Sequence, residues 1–266
     1  GGGRAIRAGD GAVGVYLALP EIGSLLMAPA PAGKLVNRYI RGLNQGLTLA
    51  GAGKGAHYFG RDFVSADGRQ IAVVSQDGAP SGAAIFEAIV AVERPLSLPE
   101  GLRGYPEHGD PRADGPPFGA LSELWSSPRH FEEIAEAIAA GYGRAYGCEI
   151  REDTATTIPE ADVLPPVWEE EGRYEESGVA DIPIGFAEAL VRPPLEPVSE
   201  VRLRGDFIAP AFVIRDLERA LAGKALEFAA IGGAVDEAFR RPHAGILGVV
   251  AMRVFADAVL AASGRL

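Results

Sequence analysis

The residues of this 266-residue chain that could do chemistry sit in short glycine-bearing segments. Gly1-Gly2-Gly3-Arg4 sets three residues without a Cβ beside a guanidinium; such a triplet is more often a flexible end, and in a turn its N–H groups can approach an anion closely. Gly60-Arg61-Asp62 adds a carboxylate, and Gln70 adds an uncharged amide that can donate to a phosphate. Other chemistries lack their residues. His57, His108, His130 and His243 show no metal-ligand spacing, and no serine stands in a nucleophile elbow. Cys148 is the single cysteine, so no internal disulfide forms; it reads as a small packed side chain rather than a nucleophile.

These groups need a frame. Residues 58–76 (YFGRDFVSADGRQIAVVSQ) read as two strands joined at Asp67-Gly68, because Asp-Gly takes the positive φ angles of a tight hairpin. Phe59, Phe63 and Val64 on the first strand, with Ile71, Val73 and Val74 on the second, supply a sheet interior. Residues 13–19 (VGVYLAL) form an apolar run expected to be a central strand buried on both faces. Leu35, Val36, Tyr39, Ile40, Leu43 and Leu47 give the stripe of a helix over 34–50, stopped by Gly51-Ala52-Gly53. Residues 83–92 fit either a strand or a short apolar helix, and 96–119, crowded with Pro and Gly, read as a long surface loop. Ser127 as N-cap with Pro128 behind it opens a helix to about residue 146, with Phe131, Ile134, Ile138 and Tyr142 on one face. Strands are expected at 180–190 and 198–207, then helices at 211–222, 225–239 and 249–262.

In this order the motifs resemble those of the lipoate–protein ligase family. That family's ligase domain runs from a glycine triplet to a Gly-Arg-Asn-Asp strand and a Gly-(Arg)-Lys-x-x-Gly hairpin. Here Gly1-Gly2-Gly3, Gly60-Arg61-Asp62 and the hairpin follow one another, and Pro117-Phe118-Gly119-Ala120-Leu121-Ser122-Glu123-Leu124 resembles the segment closing the domain. Ser122 and Glu123 there read as a helix cap. Val201-Arg202-Leu203-Arg204-Gly205-Asp206-Phe207, with the helix stopping at Gly223, resembles the accessory domain. The resemblance implies an α+β fold: a biotin/lipoate ligase-like mixed sheet with helices over 1–150, an acidic Pro-containing linker over 151–178 and a small α+β accessory domain over 179–266.

It also implies ATP-dependent, Mg²⁺-assisted activation of lipoate or a similar short acyl acid, then transfer to a lysine of a lipoyl carrier domain. Gly1, Gly2, Gly3 and Arg4 would cradle ligand, Asp62 would face metal or ribose, Ser75 would lie near the pocket, and Gln70 would donate to phosphate or acyl oxygen. Asp62 reads equally as a strand-edge carboxylate paired with an arginine. The departures fall on the reactive positions. Gln70 stands where the family has its catalytic lysine, Val73 replaces a glycine, and Ser81-Gly82-Ala83-Ala84 stands in for the ligand-lining His-(His)-Gly-Thr. A charged donor in a dry site is worth roughly 2–4 kcal/mol more to the transition state than a neutral one. Lys54, between glycines upstream of the hairpin, is either a replacement cation or a solvated loop tip. A silenced homologue that binds a ligand or partner is therefore the rival to a ligase.

Composition bounds the rest. A net charge of −11 argues against nucleic acid, which needs a basic face. It also opposes an acidic carrier at long range, unless Arg38 with Arg41, or Arg202 with Arg204, forms a local patch. Apolar residues 245–262 are interrupted by Arg253 and Asp257, so no membrane span is expected. With one cysteine and no basic leader before an apolar stretch, a cytoplasmic, reducing location is the expectation.

Overall fold

The computed structural model describes residues 3–9, 11–25, 32–99, 115–153, 174 and 176–264. The expected α+β class holds: a five-stranded sheet and a three-stranded sheet, each with its own helices. The first sheet contains β1 (Ala12–Leu19), β2 (His57–Tyr58), β3 (Phe63–Ala66), β4 (Arg69–Gly78) and β5 (Ala84–Ala91), in the order β1-β5-β4-β3-β2. All its strand pairs are antiparallel; among the described residues the single parallel element is an isolated bridge between Gln70 and Phe118.

The Asp-Gly hairpin forms as expected, with Asp67 at φ 48 and Gly68 at φ 73. Its strands are not in simple register. Phe63 faces Val73 and Val64 faces Ala72, but Ser65 faces Gln70, so Ile71 is an extra residue on β4. That bulge keeps Ile71, Ala72 and Val74 in the main core and turns Gln70 to the face shared with Ser65 and Val73. The rest of the reading shifts in detail. Residues 84–91 are a strand. Phe59 lies between β2 and β3 and is exposed rather than interior. β1 is an outer strand, not a central one, and pairs only with β5 among the described residues. Its run looked doubly buried because Gly14 and Ala18 are small and apolar, yet both are exposed, and Tyr16 between them is 63% exposed.

One sheet face is covered by α1 (Leu35–Leu49) and α2 (Phe131–Tyr146). The α1 stripe predicted from the sequence is buried throughout. The helices approach until a Cβ on Gly141 would overlap the backbone of Gly46. α2 begins three residues later than Ser127-Pro128 suggested, with extended His130 before it and no side-chain cap. Phe131 therefore sits on the outer side, while Ile134, Ile138 and Tyr142 face α1.

The second sheet is β6 (Glu176–Ile182), β7 (Gly185–Arg192) and β8 (Glu200–Gly205), antiparallel throughout. The single strand expected at 180–190 is a hairpin across Pro183-Ile184. Pro183 cannot donate to a ladder, and Gly185 at φ +143 has Asp206 where a Cβ would stand. α3 (Ala211–Leu221), α4 (Phe228–Phe239) and α5 (Val254–Ala262) complete this core around Phe207, Leu217, Ile231 and Phe255. No described helix is long and apolar enough to cross a membrane.

Candidate functional site

Three of the residues singled out above, Arg4, Asp62 and Gln70, gather at the face of the first sheet opposite α1 and α2. Val73, Ala91, Leu96 and Ala120, with Ile6, Ile89 and Phe118, form a small apolar layer there. The N-terminal segment reaches it through an antiparallel bridge between Arg7 and Ser97. From this segment Arg4 Nε meets Asp62 Oδ2 at 2.7 Å, with side-chain exposures of 4% and 0%. Arg4 Nη2 donates to Gln70 Oε1 at 2.8 Å. Gln70 Nε2 in turn donates to the Pro116 carbonyl at 2.5 Å. The Gln70 backbone is held as well: its N–H donates to Pro117 O at 2.8 Å, and Gly119 N donates to Gln70 O at 3.0 Å. Phe118 lies against the Arg4 guanidinium, 5.7 Å from carbon to ring centroid.

Three of the predicted residues, Arg4, Asp62 and Gln70, thus come together, and they satisfy one another. An ion pair this deep is compensated only by good geometry and further hydrogen bonds, which the Gln70 bridge helps provide. Of Asp62's two readings, the geometry is that of the arginine-paired carboxylate. A Mg²⁺ ion does not fit it. Asp62 is buried and neutralised by Arg4, and no group of three His, Cys, Asp or Glu that could hold a metal occurs among the described residues.

The remaining candidates lie apart. Gly3, at φ +99, donates its N–H to Phe207 O at 2.9 Å, so that donor is committed to the second sheet's unit. Gly1 and Gly2 are outside the described residues. Ser75 stands on β4 opposite Glu87, five residues and roughly 15 Å along the strand from Gln70. Lys54 is exposed in the loop before β2. Ser81–Ala83 lies in the turn between β4 and β5, and Ala84 begins β5; the turn is closed by Ala79 N donating to Ala83 O at 2.8 Å. Beside this turn is a shallow, open depression of about 540 Å³, lined mostly by apolar groups including Leu19, Ala83, Ala84 and Ile85, and by Asp77.

Sequence reasoning missed four contributors. Pro116 and Phe118 belonged to a segment read as surface loop, although Pro-Pro-Phe beside a long apolar-poor stretch hinted at a docked aromatic. Asp206, noted only as part of a turn, is near enough to Asp62 and Arg4 to feel both charges. Burial pushes its carboxyl above the ordinary range and the Asp62 charge adds to this, against a hydrogen bond from Phe186 N and the attraction of Arg4. Asp77 joins the two units: its Oδ1 accepts from Ala211 N at 2.9 Å, at the start of α3, and from Gly78 N at 2.7 Å. Burial works against the charge on Asp77, but those amides help hold its carboxyl below the usual range. Arg61 donates to the Pro183 carbonyl across the same junction.

No protein-family model matches the chain, and no curated protein sequence matches it. Among solved structures it is similar to the crystal structure of P. falciparum LipL1 in complex with lipoate, at a TM-score of 0.55 and 10% identity. The similarity covers 89% of this chain and 69% of that one. At this identity the likeness establishes a lipoate ligase-like fold and nothing about the reaction.

Proposed function

We propose that this chain uses a lipoate ligase-like fold to bind an acyl group without activating it. The observation that carries the reading is the burial of Gln70 with both ends of its amide engaged, Oε1 accepting from Arg4 and Nε2 donating to Pro116. Turning that buried amide out toward a phosphate would disturb this network, and the amide would still supply no charge, where preorganised donors contribute most. The open depression beside residues 81–84 lies where the family resemblance puts the ligand-lining segment, and its apolar floor suits a short aliphatic chain laid along it. Asp77 at its edge stays ionised, so a neutral acyl amide, such as an acylated lysine of a carrier domain, suits it better than a free acid.

A second reading is lipoate–protein ligase-type chemistry: ATP- and Mg²⁺-dependent activation of lipoate or a similar acid and transfer to a carrier lysine. One observation favours it. Arg4 brings a guanidinium to 2.8 Å from Gln70 Oε1, which returns a cation to the neighbourhood of the family's lysine. That cation would first have to leave Asp62.

Two measurements separate the readings. Pyrophosphate release is assayed with Mg-ATP and lipoate or octanoate, and calorimetry compares octanoate and lipoate with their amides. Heat of binding for the amides, weaker heat for the acids and no pyrophosphate are expected. Pyrophosphate release abolished by Arg4→Gln would establish the second reading, and absence of amide binding would sink the first.

A further inference from the structure

The cations of this acidic chain are not spread evenly. From Ile22 to Arg61 the sequence holds Lys34, Arg38, Arg41, Lys54 and Arg61 but none of the chain's 36 acidic residues. α1 lies inside that stretch and is the only described α-helix without an acid. Lys34, Arg38, Arg41 and Gln45 stand at intervals of four, three and four, so they line one side of the helix, away from its buried stripe. Lys34 and Arg41 are exposed and Arg38 is half-buried, and none of the three is in an ion pair among the described residues. Helix stability does not account for them. Lys34 is the N-cap and Arg38 closes the first turn, where the positive end of the helix dipole disfavours cations, and no acid stands four residues away to offset them. The neighbouring acids are placed elsewhere. α2 runs antiparallel to α1, with Tyr142 against Gly42 and Ile138 against Gly46. Its Glu132, Glu133 and Glu136 therefore stand beside the end of α1 beyond Gly46, and its last turn brings Arg144. Past α2, Glu149 is held by Arg151 at 2.8 Å, and Glu152, Asp153 and Glu21 make no ion pair with the stripe.

We propose that this side of α1 docks an acidic segment of a partner protein. The charge pattern selects the occupant. Successive stripe residues rise by roughly 4.5–6 Å, a repeat that carboxylates on one face of a helix share. An open notch of about 350 Å³, lined by Asn44, Gln45, Thr48 and Arg144 among others, continues the stripe and adds a fourth cation beside amide and hydroxyl groups. Those neutral groups can bond the polar atoms of a peptide while the cations take its charges. The exposed residues between the cations, Asn37, Gln45 and Thr48, supply neither the apolar side chains that enter a bilayer nor the aromatic rings that stack on bases. A long polyanion would extend past the stripe into the field of a chain carrying −11. A short acidic segment instead stays within the screening length of the stripe, roughly 10 Å. α1 covers the sheet face opposite Arg4 and Gln70, so that face stays open while this partner is bound.

The test is fluorescence anisotropy with a labelled alanine-based peptide carrying glutamates at the same four-and-three spacing. Two variants of the full chain lower its net charge equally. One combines Lys34→Glu, Arg38→Glu and Arg41→Glu; the other combines Arg215→Glu, Lys224→Glu and Arg240→Glu, at exposed positions of the second unit. The unaltered chain should bind the peptide at low salt and release it as salt rises. The stripe variant should lose roughly tenfold or more in affinity, and the second variant should stay within about twofold of the parent. Thermal melting followed by circular dichroism separates docking from folding: acids at positions 34 and 38 suit a helix start, so the stripe variant should melt at least as high as the parent. Equal losses in the two variants would reduce the effect to net charge and overturn the proposal. So would a lower melting temperature of the stripe variant, or a parent that does not bind the peptide at low salt. Tighter binding of a single-stranded oligonucleotide or of phosphatidylserine vesicles than of the peptide would also overturn it, as would self-association, seen by ultracentrifugation, that the stripe variant abolishes.

Discussion

Arg4 donates to Gln70 at 2.8 Å through one nitrogen while another holds Asp62 at 2.7 Å, so a single buried cation serves one anion and one neutral acceptor. The neutrality of residue 70 is a requirement of that arrangement. Gln70→Lys would set a second cation against Arg4 and leave the Pro116 carbonyl with a displaced donor. We expect it to lower the unfolding free energy by about 2 kcal/mol in urea titration, with no gain in pyrophosphate release. Adding Arg4→Gln to it should recover most of the loss, because one cation again faces Asp62. A Gln70→Lys variant as stable as the parent would show that the network is not closed in solution.

Removing the anion should cost more than removing the pair. Asp62→Asn strands the Arg4 guanidinium in a site where its exposure is 4%, and such broken buried pairs typically lose about 3–5 kcal/mol. The double change Arg4→Met with Asp62→Leu replaces both charges by apolar groups beside Phe118 and Ile6. Chemical denaturation should place the double variant above Asp62→Asn in stability. The reverse order would mean that Arg4 reaches water or another anion when Asp62 is lost.

The parts of this architecture legible in the sequence are those set by local chemistry. Asp67-Gly68 needs positive φ at both residues, and the stripe from Leu35 to Leu47 needs one buried helix face; both took the expected form. The motif order also pointed to the α+β ligase-like fold. What was not legible depends on partners remote in the chain. The position of β1 at the sheet edge is decided by which strands pair, not by its own apolar run. The orientation of Gln70 hangs on one extra residue, Ile71, invisible without the register opposite it. Arg4 was placed beside a ligand because only its neighbours in sequence were known. Its actual partners are 58 and 66 residues away.

Asp206 makes stability depend on acidity in a definite direction. Burial, then the Asp62 charge, raises its carboxyl above the ordinary value of 3.8, so the folded chain holds that proton to higher pH than the unfolded one. Between 3.8 and the raised value the folded state binds more protons, and this contribution to stability falls as pH rises through that window. Asp206→Asn removes the charge and can still accept from Phe186 N. Its melting temperature should exceed the parent's at neutral pH, and the gap should narrow as pH falls toward 4, about the ordinary carboxyl value. A gap that widens on acidification would mean that Asp206 is stabilised as the anion, with Arg4 outweighing burial.

The same substitution should act with opposite signs at two helical glycines. At Gly141 a Cβ would run into the backbone of Gly46 on α1, so the helices must separate and the Tyr142 and Ile138 contacts loosen. Gly141→Ala is expected to lose about 1–3 kcal/mol, the usual cost of overpacking a tight contact. Gly233, exposed within α4, has nothing within 4 Å of its would-be Cβ. There Gly233→Ala only restricts the unfolded chain and favours helix, and should gain about 0.5–1 kcal/mol. Paired thermal melts decide it: loss at 141 with gain at 233 supports the close α1–α2 approach. If Gly141→Ala melts as high as the parent, the two helices are farther apart than the Gly46–Gly141 contact requires.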